Sequence, residues 1–322
     1  MSKTIVILDN TPPKRVEELR ALLPEGFVLT NGTAQGDAHM KEIIAEADFA
    51  IAGQVAVSGE VLHAAKRLKL LHKWGVGVDN LDLETARALN IRVARTTGSN
   101  ALAVAEFTIG LMLAAMRCIP YGHHMLQNGV WHGPSRLPVP TLLISGKTVG
   151  IIGLGAIGSN VAKLLRGFGC RILYAKRTRL SGQEEEALGV THASLDEIFT
   201  QADILSLNCP LTSETANLID MNVLKRMKRS AILVNVARGG VVVEEDLRTA
   251  LKERIIQAAA MDVFSIEPLP AENPFLGIDN LVLTPHLAAV TADTFVPTVK
   301  RMFENIRRVS VGEPVPPLDL VV

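Results

Sequence analysis

The sequence predicts an α/β fold with mostly parallel strands, divided between two domains. Three observations lead there. Short apolar runs alternate with longer amphipathic ones along nearly the whole chain, the pattern of strands covered by helices. The chain has 322 residues, more than one hydrophobic core usually takes. Near its middle, "TVGIIGLGAIG" sets Gly153, Gly155 and Gly158 between an apolar run and an amphipathic one.

Taken in order, "TIVILD" is the first strand candidate, and "DFAIAG", "LKLLHKW" and "IRVARTT" follow it. Between them, "GDAHMKEIIAEA" and "SGEVLHAAKR" space their apolar residues as amphipathic helices do. From Ala101 to Arg117, "ALAVAEFTIGLMLAAMR" is a long, mostly apolar helix, too short for a membrane span, and is read as buried between domains. The next stretch, "CIPYGHHMLQNGVWHGPSRLPVPTLL", is broken by Pro and Gly and carries Tyr121, Trp131, His123, His124 and His132. It is expected to be a dimer arm, about 118–145, that packs on another surface rather than forming regular core. Alternation resumes at "KTVGIIG" and continues through "RILYA", "ADILSLN", "AILVNV", "IQAAAMDVF" and "LVLTPH". Their near-continuous Val, Ile and Leu suit strands covered on both faces. Finally, "TADTFVPTVKRMFENIRRVSVG" reads as a helix interrupted near Pro297 that returns to the first domain, followed by an extended tail.

Composition narrows the function classes. Hydrophobic residues are 48% of the chain and charged ones 20%, and 33 Lys plus Arg offset 33 Asp plus Glu, which fits a folded soluble protein. That balance asks for no polyanion, so neither nucleic acid nor membrane is an expected partner. The opening "MSKTIVILDNTPP" holds one apolar run, too short for a signal-peptide core, and the expected address is cytoplasmic. Cys118, Cys170 and Cys209 are far apart with no CxxC pair, so they are expected as reduced core thiols and no metal site is expected.

In the glycine motif, Gly153 permits the turn, Gly155 lets backbone approach a pyrophosphate, and Gly158 permits close packing of helix on strand. Amides at the helix start, around Ala156 and Ile157, would hold the phosphate charge. In NAD sites an acidic residue about 20 positions further on meets the adenosine ribose. Here Ala175 and Lys176 stand at that strand end, followed by Arg177 and Arg179. Planar guanidinium groups suit a 2'-phosphate, so NADP is the expected cofactor. NAD stays open if the basic turn is merely solvated.

Three later strands end in polar groups: Asn235 and Arg238 in "ILVNVARGG", Asp262 and Glu267 in "MDVFSIEPLP", and His286 in "LTPHLAA". In an open parallel sheet such ends gather around the ligand. Hydride exchange with an acid needs a cation for the carboxylate, a proton donor and acceptor at the reacting oxygen, and a group that orients that donor. His286 is the candidate acid/base. Glu267 would orient its ring, and Arg238 would bind the substrate carboxylate and polarise its carbonyl.

Together the chain resembles the D-isomer-specific 2-hydroxyacid dehydrogenases. The resemblance runs through "KWGVGVDNLD", "GSNALAVAEFTIGLML", "GLGAIG", "NCPLTSET", "NVARGGVVVEEDL", "DVFSIEP" and "TPHLAAVT", spread over nearly the whole chain. It implies two Rossmann-like domains: a flavodoxin-like, discontinuous substrate domain (1–100 completed by 290–322) and a central dinucleotide-binding domain (101–289) that supplies a homodimer contact. Arg238, Glu267 and His286 then match the catalytic residues, and Val76 and Gly77 match a loop whose amides receive the substrate carboxylate. Asn100 matches a residue near the bound acid, and Asp262 one that bonds the nicotinamide carboxamide. Cys209, Pro210, Thr215, Val236 and Ala237 fall in the matched cofactor motifs, while Val104, with no polar group to offer the cofactor, is expected to pack between the domains.

Lys73 and Trp74 precede the Val76 loop as candidate pocket walls. Lys73 would meet a phosphate or second carboxylate or stay solvated; Trp74 would bound a bulky side chain or pack between strand and loop. Asn208 departs from a common His, Ala289 from a common Gly, and "YAKRTR" from the acidic strand end of NAD-preferring members. The expected substrate is glyoxylate or hydroxypyruvate, with a bulkier 2-keto acid or the phosphorylated substrate of D-3-phosphoglycerate dehydrogenases as alternatives. A redox-inactive, NAD(P)-sensing corepressor is the rival reading.

Overall fold

A computed structural model describes residues 2–34, 36–131, 133 and 136–322. The chain divides into two units, one of Met1–Asn100 with Thr291–Val322 and the other of Ala101–Val290. The first unit begins β1 (Lys3–Asn10), α1 (Pro13–Arg20), β2 (Phe27–Gly32), α2 (Asp37–Ile44), β3 (Phe49–Ala52), α3 (Gly59–Ala64), β4 (Leu70–Lys73), α4 (Leu83–Ala88) and β5 (Arg92–Arg95). Its strands pair in parallel in the order β2-β1-β3-β4-β5, the flavodoxin-like winding. Ser58 and Asp82 fix where α3 and α4 start, each accepting a backbone N–H one turn on. Strand β2 was not among the expected strands. It lies at the sheet edge with mixed burial, so it lacks the unbroken apolar run that marks β3.

The second unit runs α5 (Ala101–Arg117), α6 (Ile119–Gln127), β6 (Thr148–Ile152), α7 (Ala156–Arg166), β7 (Arg171–Ala175), α8 (Gly182–Leu188), β8 (Thr191–His192), α9 (Leu195–Gln201), β9 (Ile204–Leu207), α10 (Met221–Arg226), β10 (Ile232–Asn235), α11 (Glu244–Lys252), β11 (Ala258–Met261) and β12 (Leu281–Leu283). All its strand pairs are parallel, in the order β12-β11-β10-β9-β6-β7-β8. Counted from β6, this is the doubly wound dinucleotide order with one added strand, and its winding reverses between β6 and β9. Capping boxes at Ser181 and Ser194 start α8 and α9. Helix α5 packs on α7 and on β10, β11 and β12, and buries Val104 within its own unit.

The stretch expected as an irregular arm instead contains α6, which starts after Cys118 with Pro120 in its first turn. A proline is tolerated there because the N–H it removes has no intrahelical acceptor. Ile119, Leu126, Trp131 and Leu143 are exposed along this stretch, and His132 lies outside the described residues. The three cysteines are free thiols; Cys118 and Cys209 are buried and Cys170 is half-buried. Among the described residues no single helix is long and apolar enough to cross a membrane; only α5 and α6, bent by 66°, meet that test as a pair. No group of potential metal ligands occurs among the described residues.

Returning to the first unit, α12 (Ala292–Ser310) is one continuous helix, not the interrupted one expected. Pro297 costs a single hydrogen bond in its second turn. Burial of Val299, Met302, Phe303 and Ile306 in the core with Ile5, Ile7 and Leu70 offsets that loss. The tail then runs antiparallel to β5, with Leu320 bridged to Ala94, and Val321 N–H donates to Val93 O.

Candidate active site

The glycine turn follows β6 at the switch point. Gly153 has φ +92°, and Gly155 is the N-cap of α7, with no capping side chain on the helix's free amides. A Cβ at Gly155 would meet nothing within 4 Å, so the space in front of Ala156 is open. An open pocket of about 440 Å³ lies there, lined by Gly155, Ala156, Ser159, Lys176, Leu180 and Leu188. Ile157 is half-buried in the first turn of α7. These groups fit a dinucleotide pyrophosphate: unsatisfied amides, a helix N-terminus and a wall without side chains.

At the end of β7, Lys176 and Arg177 are exposed. Arg179 is exposed too, but it is ion-paired. Its Nε and Nη2 donate to both carboxylate oxygens of Glu185 at 2.8 and 3.0 Å, and Glu185 also accepts the Tyr174 hydroxyl at 2.7 Å. A carboxylate nine residues after Lys176 thus holds two of the donors expected to fork onto a phosphate, while 63% of the Arg179 side chain stays exposed.

After β9, Cys209 is buried and its thiol is pushed up to about 11 by burial, so it stays protonated at neutral pH. Pro210 O accepts the Thr215 hydroxyl at 2.6 Å, closing this loop on itself. After β10, Val236 and Ala237 are buried, and Asn235 shapes the turn: its Oδ1 accepts from Ala237 N and its Nδ2 donates to Arg238 O. Arg238 Nη1 donates to Ala237 O at 2.8 Å. The following glycine is obligatory, since a Cβ at Gly239 would lie 1.9 Å from the Phe264 carbonyl carbon. That contact seats the Arg238 turn against the segment carrying Glu267.

Glu267 Oε1 accepts from Phe264 N at 2.9 Å, and Oε2 meets His286 Nδ1 at 2.7 Å. Against a carboxylate Nδ1 is the donor, which leaves Nε2 as the ring's free edge. Burial pushes the Glu267 carboxyl up, but the His286 bond, the Phe264 amide and the charges of His286 and Arg238 outweigh it and hold it below the ordinary range. About 30% of the His286 side chain stays exposed, enough for a ligand to reach it.

His286 has φ +53°, a conformation disfavoured for a residue with a Cβ. Asp262 imposes it. The Asp262 carboxylate accepts from Thr284 Oγ1 at 2.6 Å, Leu287 N at 2.9 Å and Ala288 N at 2.9 Å, while His286 N donates to Asp262 O. Asp262, expected to bond the nicotinamide carboxamide, is 1% exposed and anchors the histidine loop.

In the first unit, the Val76 and Gly77 amides follow β4 and donate to no acceptor among the described residues. Asn100 Oδ1 is buried without a hydrogen-bond partner among them. Lys73, a candidate pocket wall, is 7% exposed and donates to Gly53 O and to Asn80 Oδ1. Trp74 packs on Phe295, ring centroids 6.3 Å apart. Sequence reasoning missed Asp9, whose carboxylate accepts from the amides of Gly53, Gln54 and Val55, and also Glu185 and Arg95. A carboxylate directly after the apolar run "TIVIL" was the available signal for Asp9.

A family model described as D-isomer specific 2-hydroxyacid dehydrogenase, NAD binding domain, matches residues 109–288. The chain is 41% identical over 262 residues to the glyoxylate reductase of Aeropyrum pernix, covering 80% of this chain and 78% of that protein. It is 37% identical over 265 residues to the D-3-phosphoglycerate dehydrogenase of Archaeoglobus fulgidus, which covers 82% of this chain but 50% of that protein. Among solved structures, TT0316 protein from Thermus thermophilus superposes with a TM-score of 0.88 at 33% identity, over 99% of this chain and 100% of that one. Sheet order, glycine turn and histidine loop thus belong to an NAD(P)-dependent oxidoreductase. The protein is a member of the D-isomer specific 2-hydroxyacid dehydrogenase family, enzymes that interconvert 2-hydroxy and 2-keto acids.

Proposed function

We propose that this enzyme reduces a small 2-keto acid, glyoxylate or hydroxypyruvate, with NADPH as the preferred donor, and acts as a cytoplasmic homodimer. The hydrogen bond of Glu267 to His286, on a loop anchored by Asp262, carries the reading: it leaves one imidazole edge able to deliver a proton. The bound nicotinamide would supply the hydride, held by Gly155, Ala156 and Ile157 at its phosphates and by Lys176 and Arg177 at a 2'-phosphate. Val76, Gly77 and Asn100 would receive the substrate acid. Arg238 would steady the carboxylate and the charge that grows on the carbonyl oxygen, and His286 Nε2 would protonate that oxygen.

Similarity to glyoxylate reductases favours a small substrate, and so does the engagement of Lys73 inside its own unit. A phosphorylated substrate is the second reading, prompted by the D-3-phosphoglycerate dehydrogenase relatives; the chain spans about half the length of those proteins. Exposed Ile119, Leu126 and Trp131 supply apolar surface for the dimer.

Oxidation of NADPH and NADH against glyoxylate, hydroxypyruvate, phenylpyruvate and 3-phosphohydroxypyruvate tests these assignments. We expect the first two to exceed the phosphorylated acid in kcat/KM by about tenfold or more. No turnover with any of them would favour the corepressor reading instead.

A further inference from the structure

We infer that Arg95 is a positioning residue for substrate binding: it aims the anion-binding amide of Gly77 through the Val76 carbonyl. This rests on the 2-keto acid reading above. A trans peptide is planar, so its N–H points opposite to its C=O, and whatever pins the carbonyl also aims the amide. Two peptide planes carry the two amides in question. The Gly75 carbonyl, in the plane of Val76 N–H, accepts from Thr96 N at 3.3 Å. The Val76 carbonyl, in the plane of Gly77 N–H, accepts from Arg95 Nη1 at 3.0 Å. Adjacent residues at the end of β5 thus set one plane each, by a backbone amide and by a guanidinium. Both loop amides are left donating to no acceptor among the described residues.

Free rotation about Gly75, at φ +139°, would otherwise let this turn reorient. Arg95 is itself held on both sides. Its Nε donates to Thr97 Oγ1 at 3.1 Å and its backbone N–H to Asp319 O at 2.9 Å. Asp319 is fully buried and takes a two-pronged bond from Arg301 at 2.6 and 2.8 Å. The C-terminal tail therefore backs the arginine that backs the loop. A guanidinium suits this task because one planar group reaches two acceptors in fixed directions.

The test compares wild type with Arg95→Met and Arg95→Lys in steady-state reduction of glyoxylate or hydroxypyruvate by NADPH. Arg95→Met is expected to raise KM for the keto acid about tenfold while kcat and the KM for NADPH move by less than about threefold. Arg95→Lys, which keeps a donor on a long stem, should recover most of that loss. If Arg95→Met does not fold, Arg95→Gln carries the same comparison. A folded Arg95→Met or Arg95→Gln with wild-type keto-acid KM overturns the role of Arg95, as does an equal rise in the KM for NADPH. Absence of keto-acid turnover by the wild type overturns instead the functional reading, and the role of Arg95 with it.

Discussion

The two units finish their parallel sheets in opposite ways. At the carboxyl end of the first sheet, charge is spent on fixed partners: the Asp9 carboxylate accepts three backbone amides, buried Lys73 is tied to Gly53 and Asn80, and buried Asp319 holds Arg301. At the carboxyl end of the second, Glu267 and His286 each keep about 30% of their side chains in contact with solvent. Two parallel sheets of different strand order therefore build two kinds of site. Spent charges make a rigid frame whose amides stay fixed, which suits holding an anion. Half-exposed charges exchange protons, which suits chemistry at a carbonyl.

The largest effect that would break this contrast lies at His286. Its φ of +53° complicates an alanine substitution, since strain would be mixed with the loss of the ring. His286→Asn is the cleaner change, because Asn tolerates that backbone conformation. We expect kcat to fall about 10³-fold with the KM for cofactor nearly unchanged. A His286→Asn enzyme within about tenfold of wild-type kcat would remove the proton-exchanging role from the second unit.

A smaller effect tests the buried polar network behind the first unit's charges. His72 is fully buried; its Nδ1 faces the Lys73 carbonyl at 2.9 Å and its Nε2 meets the Asn305 side-chain amide at 3.1 Å. That pairing requires a neutral ring, donating from Nδ1 and accepting at Nε2. Burial pushes its pKa down to about 4; the Lys73 carbonyl and Asp319 work against that shift, and Arg301 works with it. The folded state then binds fewer protons than the unfolded chain, whose histidine titrates near 6.5. Stability from this group is complete above about pH 6.5 and is lost as pH falls towards 4, about 2 kcal/mol of it between pH 7 and pH 5. The carboxyls of Asp319 and Glu267, both held below the ordinary range, add their losses only at lower pH. Urea unfolding midpoints at pH 7 and pH 5 measure the difference, and His72→Gln should flatten it. An unchanged slope in His72→Gln would place the acid sensitivity elsewhere.

What could be read from sequence follows the same division. Strands such as "FAIA" and "ILVN" are buried on every residue, so composition alone marked them, whereas β2 is unevenly buried at an edge and left no comparable signal. The Glu267–His286 pair was anticipated because polar residues within a few positions of apolar strand ends stand out and because their motifs resemble those of the family. Bonds between distant residues were not. Nothing near Asp319 announces that it would meet Arg301 and Thr97, and nothing near Asp262 announces that its acceptors would be filled by the loop from Thr284 to Ala288. Pro297 misled because local propensity counts the lost hydrogen bond but not the burial of α12.

The smallest effect sharpens the contrast within one loop of the second unit. Arg179 is paired as the charges of the first unit are: Glu185 accepts from its Nε and Nη2, and that bond, with the Tyr174 hydroxyl, lowers the Glu185 carboxyl to about 2. Lys176 and Arg177 form no ion pair among the described residues. A charge-assisted bond to a phosphate is worth about 1.5 to 3 kcal/mol, so Arg177→Ala should raise the KM for NADPH about ten- to hundredfold and leave that for NADH unchanged. Arg179→Ala, by releasing Glu185 beside the same turn, should shift both cofactors by a few-fold and in step. Steady-state KM values for both cofactors, measured at one ionic strength, separate the outcomes. Equal losses for NADPH in the two variants would mean that Arg179 leaves Glu185 when a 2'-phosphate arrives, and that the line between spent and available charge is drawn by the ligand rather than by the fold.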